Sequence, residues 1–335
     1  MPLIEVEHLV KTFTRPVRHP GRFGALRGLL ARQYDTIAAV EDVSFLVEAG
    51  EMVGYLGPNG AGKSTTLKML TGILVPSAGR LEVAGRVPHR QRVEHVRNIG
   101  VVFGQRTQLW WDLPTIDSFE LLRHVYRIPA ARWRANLDAF VELLDLEPFL
   151  ETPVRQLSLG QRMRADLAAA LLHDPAILFL DEPTIGLDVV AKERIRQFLS
   201  HINRERGVTV ILTTHDLADI ARLCQRVVLI DHGRIVYDGA LEALRAQYGR
   251  WRTLVVDLSH EGVAEQVRLP HAELVQHEGP RLWLRFDREA TTAAALIAEL
   301  AARYPIRDLT VEEPEIEAVV RDIYQHGHQA MAQPA

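Results

Sequence analysis

Cysteine is almost absent from this sequence of 335 residues, which contains only Cys224. A single thiol excludes a disulfide framework and fits a reducing compartment, and we interpret Cys224 as a core-filling residue. Long apolar runs are lacking as well, because the longest, such as VTVILTT from residue 208, fall far short of the roughly 18 residues that a membrane-spanning helix needs. We therefore expect a chain that folds without disulfides and depends on other chains for any role in a membrane.

Blocks of basic charge and an export signal are also lacking. The formal net charge is −4, and like charges are not concentrated on the scale that is typical of nucleic-acid binding. The first ten residues carry acidic side chains where a secretory signal would carry basic ones, and the alternation of Ile4 and Val6 predicts a first strand. We expect no nucleic acid as a partner and no export of this chain.

A glycine-rich segment, GPNGAGKST, lies between a short apolar strand and a predicted helix, which is the setting of a phosphate-binding loop. Its glycines let backbone N–H groups surround a phosphate, and the helix start adds a partial positive charge. We expect Lys63 to reach the β- and γ-phosphates, Ser64 to ligate Mg²⁺ and Thr65 to donate to a phosphate oxygen. The residues predicted to bind the nucleotide here are Gly57, Pro58, Asn59, Gly60, Ala61, Gly62, Lys63, Ser64 and Thr65.

Two further apolar runs predict buried strands whose carboxyl ends carry polar side chains. The run at 177–180 delivers Asp181 and Glu182 to the edge where open α/β sheets bind ligands. Asp181 is expected to hold Mg²⁺ through water, and Glu182 is the expected general base for an attacking water. The run VTVILTTH ends in His215, which we expect beside Glu182 and close to the γ-phosphate.

A second helix start, in the segment LSLGQ at 157–161, has the features of an anion site. Ser158 and Gly160 stand where a helix N-terminus presents unpaired N–H groups. The phosphate-binding loop lies about a hundred residues earlier in the chain, so the anion for this second site is not evident from the neighbouring residues.

Taken together, these residues resemble the ATP-binding subunit of ABC transporters over about residues 3–245. Besides the loop and the strand ending in Asp181 and Glu182, the sequence has VVFGQ with Gln105, GLD with Asp188 and TTHD with His215, in the expected order. The resemblance implies an α/β P-loop NTPase fold with a helical subdomain at about 106–170. It also implies that Gln105 contacts Mg²⁺ or the attacking water and senses the transporter, that Asp188 acts across a dimer interface, and that His215 contacts the γ-phosphate.

The resemblance also implies a partner for the second helix start. In this family two subunits pack head to tail, so that Ser158, Gly160 and Gln161 would enclose the ATP held by the loop of the other copy. A homodimer is the economical arrangement, although a closely related heterodimer would satisfy the same chemistry. The third position of the usual Leu-Ser-Gly-Gly-Gln is Leu159 here; we expect its side chain to pack on the helical subdomain.

The adenine contact is predicted at Phe13, because the family stacks an N-terminal aromatic ring on the base, an interaction worth on the order of 1–3 kcal/mol. Tyr34 stays an alternative, since a basic insertion at about 14–36 separates Phe13 from the phosphate loop. This insertion carries five arginines and one acidic residue, Asp35. Helical spacing of Leu26, Leu30 and Tyr34 predicts either a solvated, partly helical loop or a basic helix that faces anionic lipid or a membrane subunit.

Two regions complete the sequence interpretation. Trp110 and Trp111 follow Gln105, in the region that the resemblance assigns to contact with a membrane subunit, and they are either core residues or partner contacts. After an ATP-binding domain at 1–249, residues 250–335 predict a small α+β domain with strands WRTLVVDL, RLWLRF and IRDLTVEE and helices at 290–304 and 315–324. It is similar to the C-terminal domain of ATPases from type-2 ABC exporters, including drug-resistance exporters. A regulatory, dimer-stabilising or scaffold role stays open.

The sequence therefore predicts the ATPase of an exporter, cytoplasmic and peripheral on the inner face of the cell membrane, that couples ATP binding, dimerisation and hydrolysis to separate permease subunits. One alternative is a soluble ABC ATPase acting on DNA or the ribosome, which the single phosphate loop and the lack of heptad arrays disfavour. An importer ATPase shares every catalytic motif and is opposed only by the tail and the insertion.

Overall fold

The computed structural model describes residues 2–16, 34–104, 106–214, 216–248, 251–259, 267–312, 319–320 and 323–324. The chain divides into two compact units, residues 1–239 and 240–335, and each is described by itself. The predictions for Gln105, His215 and most of the basic insertion lie outside the described residues. Among the described helices, none has both the length and the apolar character that a bilayer crossing requires.

The first unit combines a curled sheet with helices that follow its strands. Its strands are β1 (Ile4–Pro16), β2 (Tyr34–Val47), β3 (Met52–Leu56), β4 (Ala78–Val83), β5 (Ile99–Phe103), β6 (Ile177–Asp181), β7 (Thr209–Thr213), β8 (Arg226–Asp231) and β9 (Arg234–Ala240). Its helices are α1 (Lys63–Leu70), α2 (Arg92–Val96), α3 (Thr115–Tyr126), α4 (Ala130–Leu144), α5 (Leu159–Leu171), α6 (Val189–Arg206) and α7 (Leu217–Leu223). Two short 3₁₀ turns, Glu147–Phe149 and Val154–Gln156, precede α5.

Within the described residues the strand order of this sheet is β4-β1-β2-β9-β8-β3-β7-β6-β5. The pairs of β3 with β8 and β7, of β6 with β7 and of β5 with β6 are parallel, whereas β1 pairs with β2 and β4 in antiparallel register. The predicted run at 177–180 is fully buried in β6, as expected for a parallel strand covered on both faces. This parallel arrangement brings the carboxyl ends of β3, β7, β6 and β5 to one edge of the sheet.

The basic insertion begins and ends in β strands. Arg15 pairs with Asp35 and Pro16 with Tyr34 at the end of the antiparallel ladder between β1 and β2. The helical spacing predicted to include Tyr34 is therefore wrong at that residue, because strand pairing imposes a two-residue alternation there. The other insertion arginines lie within 17–33, outside the described residues.

The helical subdomain places α5 against α3, α4 and β5. The helices predicted between 118 and 146 are confirmed as α3 and α4, which end in left-handed residues at Arg127 and Asp145. The face of α5 from Met163 onward is buried, and its run of alanines allows close packing. The exposed start of α5 is therefore carried on a helix that is fixed along most of its length.

The second unit is a small α+β domain, with α8 (Leu241–Tyr248), β10 (Trp251–Leu258), β11 (Ala272–Glu278), β12 (Arg281–Asp287), α9 (Ala293–Arg303) and β13 (Ile306–Glu312). Its described strands form an antiparallel sheet in the order β11-β12-β10-β13. Leu254, Leu284 and Phe286 pack with Leu296 and Leu300 of α9 to form its core. The predicted strands at β10, β12 and β13 and the helix α9 are confirmed.

Candidate nucleotide site

The phosphate loop has the tight backbone that the glycine spacing predicts. Gly62 has φ 108°, and a Cβ atom there would lie 2.5 Å from the carbonyl oxygen of Ala39. A Cβ on Gly57 would lie 2.4 Å from the carbonyl oxygen of Ile230. Side chains at these two positions are therefore excluded, which lets the backbone between β3 and α1 approach a phosphate closely.

Lys63 lies inside this loop with only 8% of its surface exposed. Its Nζ donates to the carbonyl oxygen of Gly57 at 2.5 Å and to that of Pro58 at 3.1 Å. Burial lowers the pKa of the Lys63 ammonium, and the nearby Glu182 and Asp181 carboxylates oppose that shift. The loop thus holds a cation where phosphate oxygens would be bound.

A cavity of about 730 Å³ opens above the loop, a volume within the usual range for a small-molecule site. Its lining comprises Ala39, Gly57, Pro58, Asn59, Gly60, Gly62, Lys63, Ser64, Thr65, Glu182 and Ile185. The loop residues and Glu182, separated by more than a hundred positions in sequence, therefore meet at one cavity. Neither Ser158 nor Gly160, both among the described residues, belongs to this lining.

Asp181 is held between the loop and the neighbouring strand. Its Oδ1 accepts a hydrogen bond from Ser64 Oγ at 3.2 Å and one from Thr213 Oγ1 at 2.6 Å. Asp181 and Thr213 are register partners at the ends of β6 and β7. Thr213 was not among the predicted site residues, although its place at the end of a buried parallel strand is a usable signal for this position.

Glu182 has a left-handed backbone, with φ 56°. Its N–H donates to the carbonyl oxygen of Thr213 at 3.0 Å, which fixes the turn beyond β6. A non-glycine residue in this region carries a strain of about 1–3 kcal/mol, and such residues occur preferentially at functional sites. The turn holds the Glu182 side chain at the cavity instead of in the sheet.

The start of α5 is closed by its own side chains. The Gln161 N–H donates to Ser158 Oγ at 3.2 Å, and the Ser158 N–H donates to Gln161 Oε1 at 2.9 Å. This reciprocal pair is a capping box, which satisfies two of the donors that a helix start leaves unpaired. Ser158 and Gln161 are thus engaged with each other in the isolated chain.

The segments LSLGQ and GLD contact each other within the same chain. A Cβ built on Gly160 would lie 3.3 Å from the Ala191 Cβ, and one on Gly186 would lie 3.1 Å from Leu159 Cδ2. Leu159 therefore packs toward the loop before α6, which adds a contact that we did not predict. Asp188 caps α6, since its Oδ1 accepts from the Ala191 N–H at 2.8 Å.

Phe13 has 40% of its surface exposed, and Lys11 Nζ lies 5.2 Å from the centre of its ring. Lys11 is anchored by donating to the carbonyl oxygen of Val75 at 2.8 Å. Ile37, the strand partner of Phe13, is half exposed as well. The side chain of Tyr34, the alternative, lies outside the described residues.

Trp110 and Trp111 are both exposed, to 42% and 50%. The guanidinium of Arg162 on α5 lies 5.6 Å from the centre of the Trp111 ring. Of the two interpretations of these tryptophans, full burial in the core is excluded. They form an apolar surface that is attached to the helical subdomain.

A buried ionic cluster near Glu182 was not predicted. Asp219 on α7 is fully buried; it accepts from Thr184 Oγ1 at 2.5 Å and from Arg196 Nε at 2.6 Å. The cluster connects the loop after Glu182 with α6 and with α7. Cys224, which follows α7, is buried as expected, and burial raises the pKa of its thiol.

Comparison with known proteins agrees with this geometry. The family described as ABC transporter matches residues 40–185. The ABC transporter ATP-binding protein NatA of Bacillus subtilis is 35% identical over 208 residues, covering 62% of this chain and 84% of that protein. The Nod factor export ATP-binding protein I of Burkholderia pseudomallei is 35% identical over 292 residues, covering 84% of this chain and 92% of that protein.

Two solved structures share the fold. The ATP-binding subunit of an ABC transporter aligns with a TM-score of 0.61 at 26% identity, covering 74% of this chain and 93% of that one. A dimeric ATP-binding cassette in a post-hydrolysis state with ADP and Pi aligns with a TM-score of 0.59 at 28% identity, covering 71% of this chain and 98% of that one. The chain therefore belongs to the family of ABC transporter ATP-binding proteins. It is an ATPase subunit that binds ATP and hydrolyses it.

Proposed function

We propose that this chain drives an exporter as a dimeric ATPase on the cytoplasmic face of the cell membrane. The dimer is supported by the separation of the two predicted phosphate sites within one chain. The cavity over the phosphate loop is lined by loop residues and Glu182, whereas Ser158 and Gly160 do not reach it in the same chain. A second copy, packed head to tail, would supply these two residues to each ATP, and a homodimer satisfies both sites.

Hydrolysis is assigned to Glu182 as general base. Its position at the cavity wall lets the carboxylate orient a water toward the γ-phosphate and accept its proton, while Lys63 and the loop N–H groups stabilise charge on the phosphate oxygens. The water oxygen bonds to the γ-phosphorus, and ADP leaves with the electrons of the broken bond. His215 and Gln105 are proposed to contact the γ-phosphate and the attacking water.

Mg²⁺ is proposed at Ser64 and Asp181, with Gln105 as a further ligand. The hydroxyl and carboxylate oxygens of Ser64 and Asp181 lie 3.2 Å apart at the edge of the cavity, and both are hard oxygen donors of the type that Mg²⁺ prefers. Such an ion is usually held by one or two protein oxygens together with substrate phosphates. When bound, it would neutralise charge on the β- and γ-phosphates.

The base of ATP is assigned to Phe13, with Tyr34 as the alternative. Lys11 covers one side of the Phe13 ring, so adenine would stack on the opposite side. The exposure of Phe13 leaves room for this contact.

Asp188 is proposed to act across the dimer interface, because it caps α6 next to the start of α5.

Export by separate permease subunits is supported by the relative named for Nod factor export, which the chain matches over 84% of its own length. The exposed Trp110 and Trp111 surface is proposed to receive the membrane subunit. The compact units divide at 239/240, ten residues before the division predicted from the sequence, and the second unit is proposed as an accessory domain with a regulatory, dimer-stabilising or scaffold role. The basic insertion is proposed to contact lipid or the permease.

The experiment that tests the proposal is purification of the tagged, full chain from detergent-solubilised membranes of its source cells. We expect polytopic membrane subunits to copurify in stoichiometric amounts, together with two copies of the ATPase. Copurification with ribosomes or DNA instead, in the absence of membrane subunits, would contradict it. Transport direction is then measured with the copurified complex in vesicles.

A further inference from the structure

Asp166 is a buried carboxylate for which the proposed hydrolysis has no use. It lies on α5, eight residues after Ser158, and only 4% of its surface is exposed. Eight residues correspond to about 12 Å along a helix axis. Asp166 is therefore remote from the helix start that is assigned to the partner's ATP, but it is on the same rigid element.

The contacts of Asp166 all lead to the segment that follows Gln105. Its Oδ1 accepts from Thr107 Oγ1 at 2.8 Å and from the Gln108 N–H at 3.1 Å. Gln108 Nε2 donates in return to the Asp166 carbonyl oxygen at 3.0 Å. The Thr107 hydroxyl also accepts from the Leu109 N–H at 3.1 Å, so one buried carboxylate orders three consecutive residues.

The same segment is attached to the helical subdomain at its outer end. The Arg155 N–H donates to the Trp111 carbonyl oxygen at 3.0 Å, and Arg155 Nη1 reaches Asp112 Oδ1 at 2.8 Å. Arg155 and Asp112 are exposed, so their ion pair contributes little. The bonds to Asp166 are buried and charge-assisted, which makes them the stronger attachment.

Burial raises the pKa of Asp166 to about 6, against the hydrogen bonds from Thr107 and Gln108 and the charge of Arg162, which lower it. Near neutral pH the carboxylate is ionised, at an energetic disadvantage for the folded chain. The donors from Thr107 and Gln108 are the groups that hold this buried charge in place. The geometry, a buried acceptor that joins two separate segments, indicates a positioning role.

We infer that Asp166 is a positioning residue that latches the segment 107–109 to α5, so that displacement of the Trp110–Trp111 surface is transmitted to Ser158 and Gly160. This inference rests on the proposed function, because it assigns the surface to a membrane subunit and the helix start to the partner's ATP. The latch acts through α5 and touches neither nucleotide nor metal.

The latch itself is tested by hydrogen exchange on the nucleotide-free chain, which does not depend on the proposed function. Thr107→Val removes the hydroxyl donor with little change in volume, and Thr107→Ser keeps the donor. We expect faster exchange of the amides at 107–109 and at the start of α5 in Thr107→Val, with α1 unchanged, and near wild-type exchange in Thr107→Ser. Unchanged exchange in Thr107→Val would overturn the latch.

Its consequence is tested by ATP-driven dimerisation in a Glu182→Gln background, followed by light scattering. Thr107→Val should raise the ATP concentration for half-maximal dimerisation about tenfold, the effect of losing one charge-assisted hydrogen bond. Asp166→Ala removes the acceptor of both Thr107 and Gln108 and should raise this concentration further. Asp166→Asn, which keeps an acceptor oxygen, should have a smaller effect. Asp138→Asn, an exposed carboxylate on α4, is the matched control and should have none.

Failure of the proposed dimer, failure of the latch and a general loss of ATP binding give different results in these experiments. If Glu182→Gln alone fails to dimerise with ATP, the proposed dimer is wrong and the exchange result still decides the latch. If it dimerises, and Thr107→Val and Asp166→Ala dimerise at the same ATP concentration, the inference is overturned. It is also overturned if these variants lose monomer ATP binding in the same proportion, because the defect would then be general.

Discussion

The starts of α1 and α5 are both helix N-termini suited to an anion, and they are prepared for it in opposite ways. α1 begins at Gly62, which has no side chain to cap it, and Lys63 lies inside the loop. α5 begins at Ser158, whose backbone N–H donates to Gln161 Oε1 and whose Oγ accepts from the Gln161 N–H in a capping box. The α1 start has no side-chain cap, whereas two backbone donors at the α5 start already have side-chain partners in their own chain.

The difference has an energetic meaning for the proposed dimer. A phosphate that reaches α1 gains hydrogen bonds without breaking any side-chain cap. A phosphate that reaches α5 finds the Gln161 N–H already donating to Ser158 Oγ, so binding to that N–H displaces a bond worth about 0.5–1.5 kcal/mol net. Binding at α1 is therefore expected first, in the monomer, and the α5 contact follows only when the second subunit delivers a nucleotide already held by its own loop.

The largest effect is expected from a substitution that removes the proposed general base beside the α1 site and leaves both helix starts intact. Glu182→Gln should lower kcat by about 10²–10⁴-fold, the usual contribution of a general base, while the Kd for ATP changes little. Steady-state phosphate release and ATP titration check this. Retention of full turnover would show that another group accepts the proton.

A substitution at the start of α5 tests the second of the two helix N-termini. Ser158→Arg should abolish cooperative turnover, with a loss of at least about 10²-fold, because it removes the donor proposed for the γ-phosphate and blocks approach of the proposed partner. ATP binding by the monomer should be unchanged, since Ser158 does not line that cavity. Ser259→Arg, at an exposed serine of the second unit, is the control. Loss of monomer binding would place Ser158 in its own chain's site.

Replacing Asp166, the buried carboxylate of α5, should raise the free energy of unfolding, although it weakens the latch. The pKa of Asp166 is raised from 3.8 to about 6, so the folded chain binds the Asp166 proton more tightly than the unfolded chain does. The stabilisation that results is fully present below pH 4 and is lost as pH rises through 6. Asp166→Asn removes this loss and should raise the free energy of unfolding by up to about 3 kcal/mol at pH 8, with the gain shrinking toward pH 4. Urea unfolding at several pH values checks it, with Asp138→Asn as control. A gain that is independent of pH would contradict the prediction.

The smallest expected effect concerns the base bound near the α1 site. Phe13→Ala should raise the Kd for ATP about tenfold, consistent with a stacking contribution on the order of 1–3 kcal/mol. Phe13→Trp should keep the affinity, because it preserves a ring. Fluorescent nucleotide titration is the measurement. If Phe13→Ala has no effect and Tyr34→Ala does, the adenine contact belongs to Tyr34.

Features set by local spacing could be predicted from the sequence. The glycines around Lys63 and the apolar run of β6 are local patterns, and the structure has the loop and the buried strand at those positions. The capping box was also readable, since Ser158 and Gln161 have the S-x-x-Q spacing. We predicted these residues only as contacts for the partner's nucleotide and did not predict their bonds to each other.

Features set by distant pairing could not be predicted. Asp166 and Thr107 lie 59 positions apart, and their contact depends on how α5 packs in the folded unit. The same holds for Thr213 and Asp181, which meet through strand register. β11 was missed for a different reason: its exposed Glu273, Gln276 and Glu278 dilute the apolar alternation that identifies a strand.

The left-handed backbone of Glu182 sets a limit on engineering this chain. Glycine adopts φ 56° without strain, so Glu182→Gly would relieve the backbone strain in the turn after β6. The same change removes the carboxylate assigned to the water. At this position a strained backbone accompanies the side chain that is proposed for catalysis, so a substitution chosen only to relieve the strain would be expected to cost activity.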